Sequence, residues 1–224
     1  VDTSDGAVTV DAGGQITATD VASLTDADAN DVNLTTTAGD ISVGTINAGS
    51  AGDATLNAAA NITDDGSALT VLAADVLTAD AAGSVTLDTT VASADISTSA
   101  AGDVDIDETD AIVLSDVDTS DGAVTVDAGG QITATDVDSS ATDDNTNDIT
   151  LTSTGAGIEA QLVVAGTNND VTLDAQGGAI TENGDAAADV VGDVLTADAA
   201  GSVTLDTTVA SADISTSAAG GVDI

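Results

Sequence analysis

The chain contains no lysine, arginine or histidine, no cysteine, methionine or proline, and no aromatic residue. Without a cationic side chain it has nothing to neutralise a phosphate, so nucleic acid is excluded as a partner and anionic membrane surfaces with it. Internal salt bridges are excluded for the same reason. Zero cysteine removes disulfides and says little about redox compartment. Missing aromatics deprive a thick globular core of its largest side chains. The usual general bases, nucleophiles and oxyanion donors (His, Lys, Cys, Tyr, Arg) are absent too, which leaves catalysis poorly supplied. No apolar run approaches about 20 residues, so membrane insertion is not expected. A basic leader is also missing, and Val1 falls inside a repeated pattern. The expectation is a window within a longer chain whose targeting lies elsewhere.

What remains is acidic, aliphatic and small. The 224 residues carry a formal charge of −40, and Glu occurs only at Glu108, Glu159 and Glu182. The expected partners are therefore cations, and self-repulsion favours a medium with salt or divalent ions. Mean hydropathy is +0.24, too high for a chain disordered by polarity. Val, Ile, Leu and Ala suit a thin core between closely spaced strands.

The chain repeats itself. Val1 to Val21 recurs letter for letter as Val117 to Val137, an offset of 116 residues. Asp75 to Gly102 recurs as Asp193 to Gly220, an offset of 118. Two repeat units follow, 1–116 and 117–224, expected to be continuous as one rod. Repeats of this kind signal an extended array rather than a compact enzyme.

A shorter rhythm runs beneath. A turn pair precedes an apolar–polar–apolar triplet: GAVTV at Gly6, NDVNL at Asn30, GDATL at Gly52, GSVTL at Gly83, GDVDI at Gly102, and five counterparts from Gly122 to Gly220. Period-two alternation is the signal of a half-buried strand. A second strand follows the first nine triplets, centred on Ile16, Ile41, Ile62, Ile96, Ile112, Ile132, Ile158, Ile180 and Ile214, and a weaker third falls at positions such as Val21 and Ile46. Gly and Asn in the turns are expected to supply corners with positive φ.

About three short strands per coil of roughly 20 residues describe an all-β, parallel β-solenoid of roughly ten coils. At about 4.8 Å per coil the rod is roughly 45 to 50 Å long. The pattern predicts an inward ladder running Val8, Val32, Ala54, Val85, Val104, Val124, Ile149, Val171, Val203, Val222. Two long intervals, Gly52 to Gly83 and Asn169 to Gly201, hold extra residues that either bulge as a loop or insert a strand. Ser67 to Ala82 also admits a helical reading, which Gly192 breaks in the second copy. Neither end carries a cap, so the coil is expected to continue or to dock on another copy of itself.

The phrases GSVTL, NDVTL and GGQITA resemble the stalk repeats of filamentous haemagglutinin-like bacterial adhesins. The resemblance covers the whole chain as composition and rhythm. It implies a right-handed parallel β-helix, export to the cell surface or medium, and a role as fibre or stalk. The secretion-signal domain typical of that family is not visible, and no functional residue carries over.

The outward row behind the first strand brings Asp88, Asp107 and Asp127 onto three consecutive coils, the best candidates for metal ligands. Like charges about 5 Å apart repel by roughly 1 kcal/mol per pair in water. A hard cation such as Ca²⁺ would reverse that sign, whereas salt alone would screen it. Neither a Ca²⁺-binding nonapeptide nor an EF-hand loop is present. Thr9, Thr55, Thr86, Thr125, Thr150, Thr172 and Thr204 form a second outward row that raises ice or ligand binding, although Thr is also simply a good strand residue. Paired carboxylates admit glycoside chemistry in principle, but candidates recur in both copies where an active site should be singular, and no enzyme activity is expected. Asn33 and Asn61 sit in glycosylation sequons that the second copy lacks.

Overall fold

Val8–Ala12 alternates inward Val8 with outward Thr9, and the same alternation is repeated coil after coil. The structure is a computed structural model and describes residues 1–66, 72–184, 187–218 and 220–224. The chain winds as a right-handed parallel β-helix of about ten coils. The described residues form 25 strands in one continuous sheet whose inter-coil pairings are all parallel. They include no helix, and so none long and apolar enough to cross a membrane. Strand Ile112–Asp121 runs across the boundary between the two sequence repeats.

Three faces surround a core of Val, Ile, Leu and Ala. Leu34, Leu56, Ile106 and Leu151 are wholly buried. Each sits between in-register neighbours, as Val126, Leu151 and Leu173 do on successive coils. β-Branched, Leu and Ala ladders fill this thin coil.

The order of stacking departs from the sequence ladder at both long intervals. Leu72–Ala81 is strand, so the helical reading does not hold there; Ser67 to Val71 lies outside the described residues. This strand serves two faces. Leu72 pairs with Ile46, and Leu77 pairs with Ala54. The next triplet is thereby moved on by one face, and Val85 stacks on Ile62 rather than on Ala54. Val190–Ala199 does the same in the second copy: Leu195 takes the place over Val171, and Val203 moves onto Ile180. Both predicted ladder steps, Ala54 to Val85 and Val171 to Val203, are thus corrected. The residues remain inward, on a different face.

One consequence is a rotation of the repeat. Five pairings lead from Ile16 through Ile41, Ile62, Val85 and Val104 to Val124 on one face. Ile132, the counterpart of Ile16, lies on the next face, in the strand that follows Val124–Ala128. A unit therefore spans five coils and one third, and identical sequence comes round one face further in the second copy.

The corners also differ from expectation. No non-glycine residue among those described has positive φ, and the glycine angles are positive only at Gly6, Gly39, Gly49, Gly66, Gly166 and Gly184. At the turn pairs glycine is needed for contact between coils: a Cβ on Gly122 would run into the Gly102 carbonyl, and one on Gly102 into the backbone at Gly83. Asparagine at the same turn position works differently. Asn169 is fully buried; its Oδ1 accepts the Asn147 N–H at 3.1 Å, and its Nδ2 donates to the Ala165 carbonyl at 2.8 Å. Asn30 does the equivalent for the Gly6 N–H at 2.9 Å.

Candidate functional site

Many acidic side chains have a structural use. Where Asp31, Asp53, Ser84, Asp103, Asp148 or Asp170 follows the turn Gly or Asn, its side chain accepts a main-chain N–H from the coil above. Asp53 N–H donates to Asp31 Oδ1 at 3.1 Å, Ala123 N–H to Asp103 Oδ1 at 2.9 Å, and Asp170 N–H to Asp148 Oδ1 at 2.8 Å. Asn61 belongs to such a chain, donating to Asp40 Oδ1 and accepting the Ser84 N–H at 2.9 Å. Its amide is thus engaged between coils. In the loops, Asp143 caps the neighbouring loop through the N–H groups of Thr167 and Asn168 and the Thr167 hydroxyl. These donors hold its carboxyl below the usual range, with the Thr167 hydroxyl the leading cause. Asp26 does the same for Ser50 and Ala51 in the first copy.

The candidate ladder is brought together as its spacing implied. Asp88 pairs in register with Asp107, and Asp107 with Asp127. Asp88 is half-buried and the other two are exposed. Desolvation, followed by the charges of Asp64 and Asp107, pushes the Asp88 carboxyl up. Asp105, beside the ladder, is raised by desolvation and then by Asp107 and Asp127. Upward the row continues into Thr152 and Asp174.

A second acidic patch went unseen in the sequence. Asp95 pairs with Asp116, and Asp118 with Asp138. Asp136 stands beside them, next to Val137. Desolvation and then the Asp116 and Asp138 charges raise Asp118 to about 6. Asp95 and Asp136 are raised by desolvation first and Asp116 second. Asp116 and Asp118 flank Val117 as Asp136 and Asp138 flank Val137, so that half of the patch follows the rhythm of the sequence. The pairing of Asp95 with Asp116 depends on the face shift, because those two sit at unrelated positions of the repeat.

The threonine row is broken up by the same shift. Thr55 is followed by Thr78, Thr86 stacks on Thr63, and Asp105 separates Thr86 from Thr125. Thr204 lies on another face, beside Asp223. The seven predicted residues therefore do not make one flat surface.

No protein-family model matches the chain, and no curated protein or solved structure shows significant similarity to it.

One further group gathers where no motif pointed. Glu182, Asp189 and Asp206 each offer a carboxylate oxygen, and these atoms lie within 4.8 Å of one another. Glu182 follows strand Ile180–Thr181, Asp189 precedes Val190–Ala199, and Asp206 precedes Thr207–Thr216. Glu108 is a contrasting buried acid. It accepts the Thr89 hydroxyl at 2.8 Å and the Val91 and Asp110 N–H groups at 3.0 and 3.1 Å. Burial nevertheless raises its carboxyl.

Proposed function

We propose that the chain is a structural segment of a secreted or cell-surface fibre, a spacer or filament body of the kind that filamentous haemagglutinin-like adhesins use as stalks. The observation that carries this reading is the one-third turn per repeat. A binding surface built from repeats needs equivalent residues aligned along one side of the rod. Here Ile16 and its counterpart Ile132 stand on different faces, and their outward neighbours with them. Stacking is indifferent to that rotation, because every face offers the same strand edges and the same thin aliphatic interior. The acidic rows keep such a rod soluble and draw cations to it.

Electron microscopy and small-angle scattering test the proposal. The chain is expected to be a stiff rod roughly 45 to 50 Å long, and insertion of one more unit is expected to lengthen it by about 26 Å at about 4.8 Å per coil. A rounded particle, or an extra unit that adds width rather than length, overturns the reading. Antibody labelling of intact cells that make the protein tests its surface location; signal only after permeabilisation would argue against export.

A further inference from the structure

Asp189 is only 1% exposed, yet its Oδ1 receives no hydrogen bond from the described residues. Its other oxygen, Oδ2, accepts the Asp206 N–H at 3.1 Å. The main chain locks the two residues together: Asp189 N–H donates to the Asp206 carbonyl at 2.7 Å, and the Asp189 carbonyl accepts the Val163 N–H at 2.7 Å. The carboxylate is thus held in place rather than free to swing out to water. A buried, ionised carboxylate with an unsatisfied oxygen is costly unless paired. The sequence supplies no cationic side chain anywhere with which to pair it. Two more carboxylates, Glu182 and Asp206, converge on the same spot, which deepens the cost for a bare site.

We infer that Glu182, Asp189 and Asp206 form a binding site for a hard divalent cation, Ca²⁺ foremost. The donors are all oxygen, the set that Ca²⁺ and Mg²⁺ prefer over softer metals. Ca²⁺ holds its oxygens at about 2.3–2.6 Å, so ligands on opposite sides of one ion stand up to about 5 Å apart. The three carboxylate oxygens fall inside that span. Asp189 is buried while Asp206 is exposed, so an ion held from beneath remains open to solvent and can keep water in its outer positions.

The two repeats differ at this point. By the offset of 118, Glu182 and Asp206 correspond to Asp64 and Asp88, whereas Asp189 corresponds to Val71. The first copy thus carries two of the carboxylates and the second copy all three. Among the described residues no other such carboxylate triad occurs, and this one lies beside the long interval that shifts the faces. Its existence is independent of the fibre role.

Isothermal titration of chelator-treated protein with CaCl₂, at an ionic strength high enough to screen the acidic rows, tests the inference. Wild type is expected to show one ion per chain in a class distinct from diffuse binding. Loss of even an outer-shell partner weakens metal sites roughly 10- to 100-fold, so Asp189→Val is expected to weaken this class at least about 10-fold. Valine is the residue the first copy carries, and circular dichroism checks the fold. If that variant does not fold, the near-isosteric Asp189→Asn carries the same expectation. Asp107→Asn, on the exposed ladder, is expected to leave the class intact. An unchanged class in the folded Asp189 variant, or no class above diffuse binding in wild type, overturns the inference.

Discussion

Val85 lies in register between Ile62 and Val104, so a strand that opens one triplet stacks on a strand that closes another. Their outward neighbours, Thr86 and Thr63, are likewise Cα partners. Adjacent parallel strands bring such positions within the Cα separation of about 4.4–6.8 Å that a disulfide needs. The chain has no cysteine of its own, which makes the experiment clean. The double variant Thr63→Cys, Thr86→Cys is expected to oxidise to an internal disulfide, seen as a mass loss of two hydrogens and a gel shift reversed by reductant. The pair Thr55→Cys, Thr86→Cys is expected not to close. The opposite result would restore direct stacking of the two triplets.

Leu151 tests the core. It is wholly buried between Val126 and Leu173. Leu151→Ala is expected to cost about 2–5 kcal/mol, from lost burial and the cavity left behind. Denaturant unfolding followed by circular dichroism measures it; the absence of aromatic residues rules out intrinsic fluorescence.

Asn169→Ala removes the acceptor of the buried Asn147 N–H and the donor to the Ala165 carbonyl. Each unsatisfied buried group costs about 1–3 kcal/mol, so a loss in that range or above is expected in the same assay. Gly102→Ala is expected to destabilise as well, by about 1–3 kcal/mol, because the added methyl meets the backbone of the coil below.

Stability should depend on pH in the direction opposite to ordinary acid denaturation. The Asp118 carboxyl is raised from 3.8 to about 6, and those of Asp88, Asp95, Asp105, Asp136 and Glu108 are raised too. A raised carboxyl binds its proton more tightly in the folded state. The stability it contributes is full below the ordinary value and is lost as pH climbs through the raised one. The melting midpoint at low salt is therefore expected to fall between about pH 5 and about pH 7. Asp118→Asn should flatten that slope and raise the midpoint at neutral pH. A midpoint that climbs over the same interval would contradict the assignment.

Asp107→Asn removes the middle charge between Asp88 and Asp127. It is expected to raise the melting midpoint at low ionic strength, and the gain should vanish in about 1 M salt, where the screening length is about 3 Å. A gain that persists in high salt would point to packing rather than repulsion.

The strands themselves were legible in the sequence. Val8, Thr9 and Val10 alternate, and a short apolar–polar alternation has one stable use when many copies stand in series: stacking edge to edge. The absence of aromatic residues and the supply of Val, Ile, Leu and Ala likewise set a thin interior. The Asp88, Asp107 and Asp127 row was readable because no long interval intervenes between those coils. Which face each strand occupies was not readable. That depends on whether Leu72–Ala81 counts as a loop or as two strand positions, a choice made by pairing with Ile46 and Ala54 rather than by local pattern. The meeting of Glu182, Asp189 and Asp206 rests on the same kind of decision. Local alternation fixes which side chains turn inward, because it acts over two residues. Neighbours between coils are set by how much chain each turn consumes, and only the closed winding of the backbone decides that.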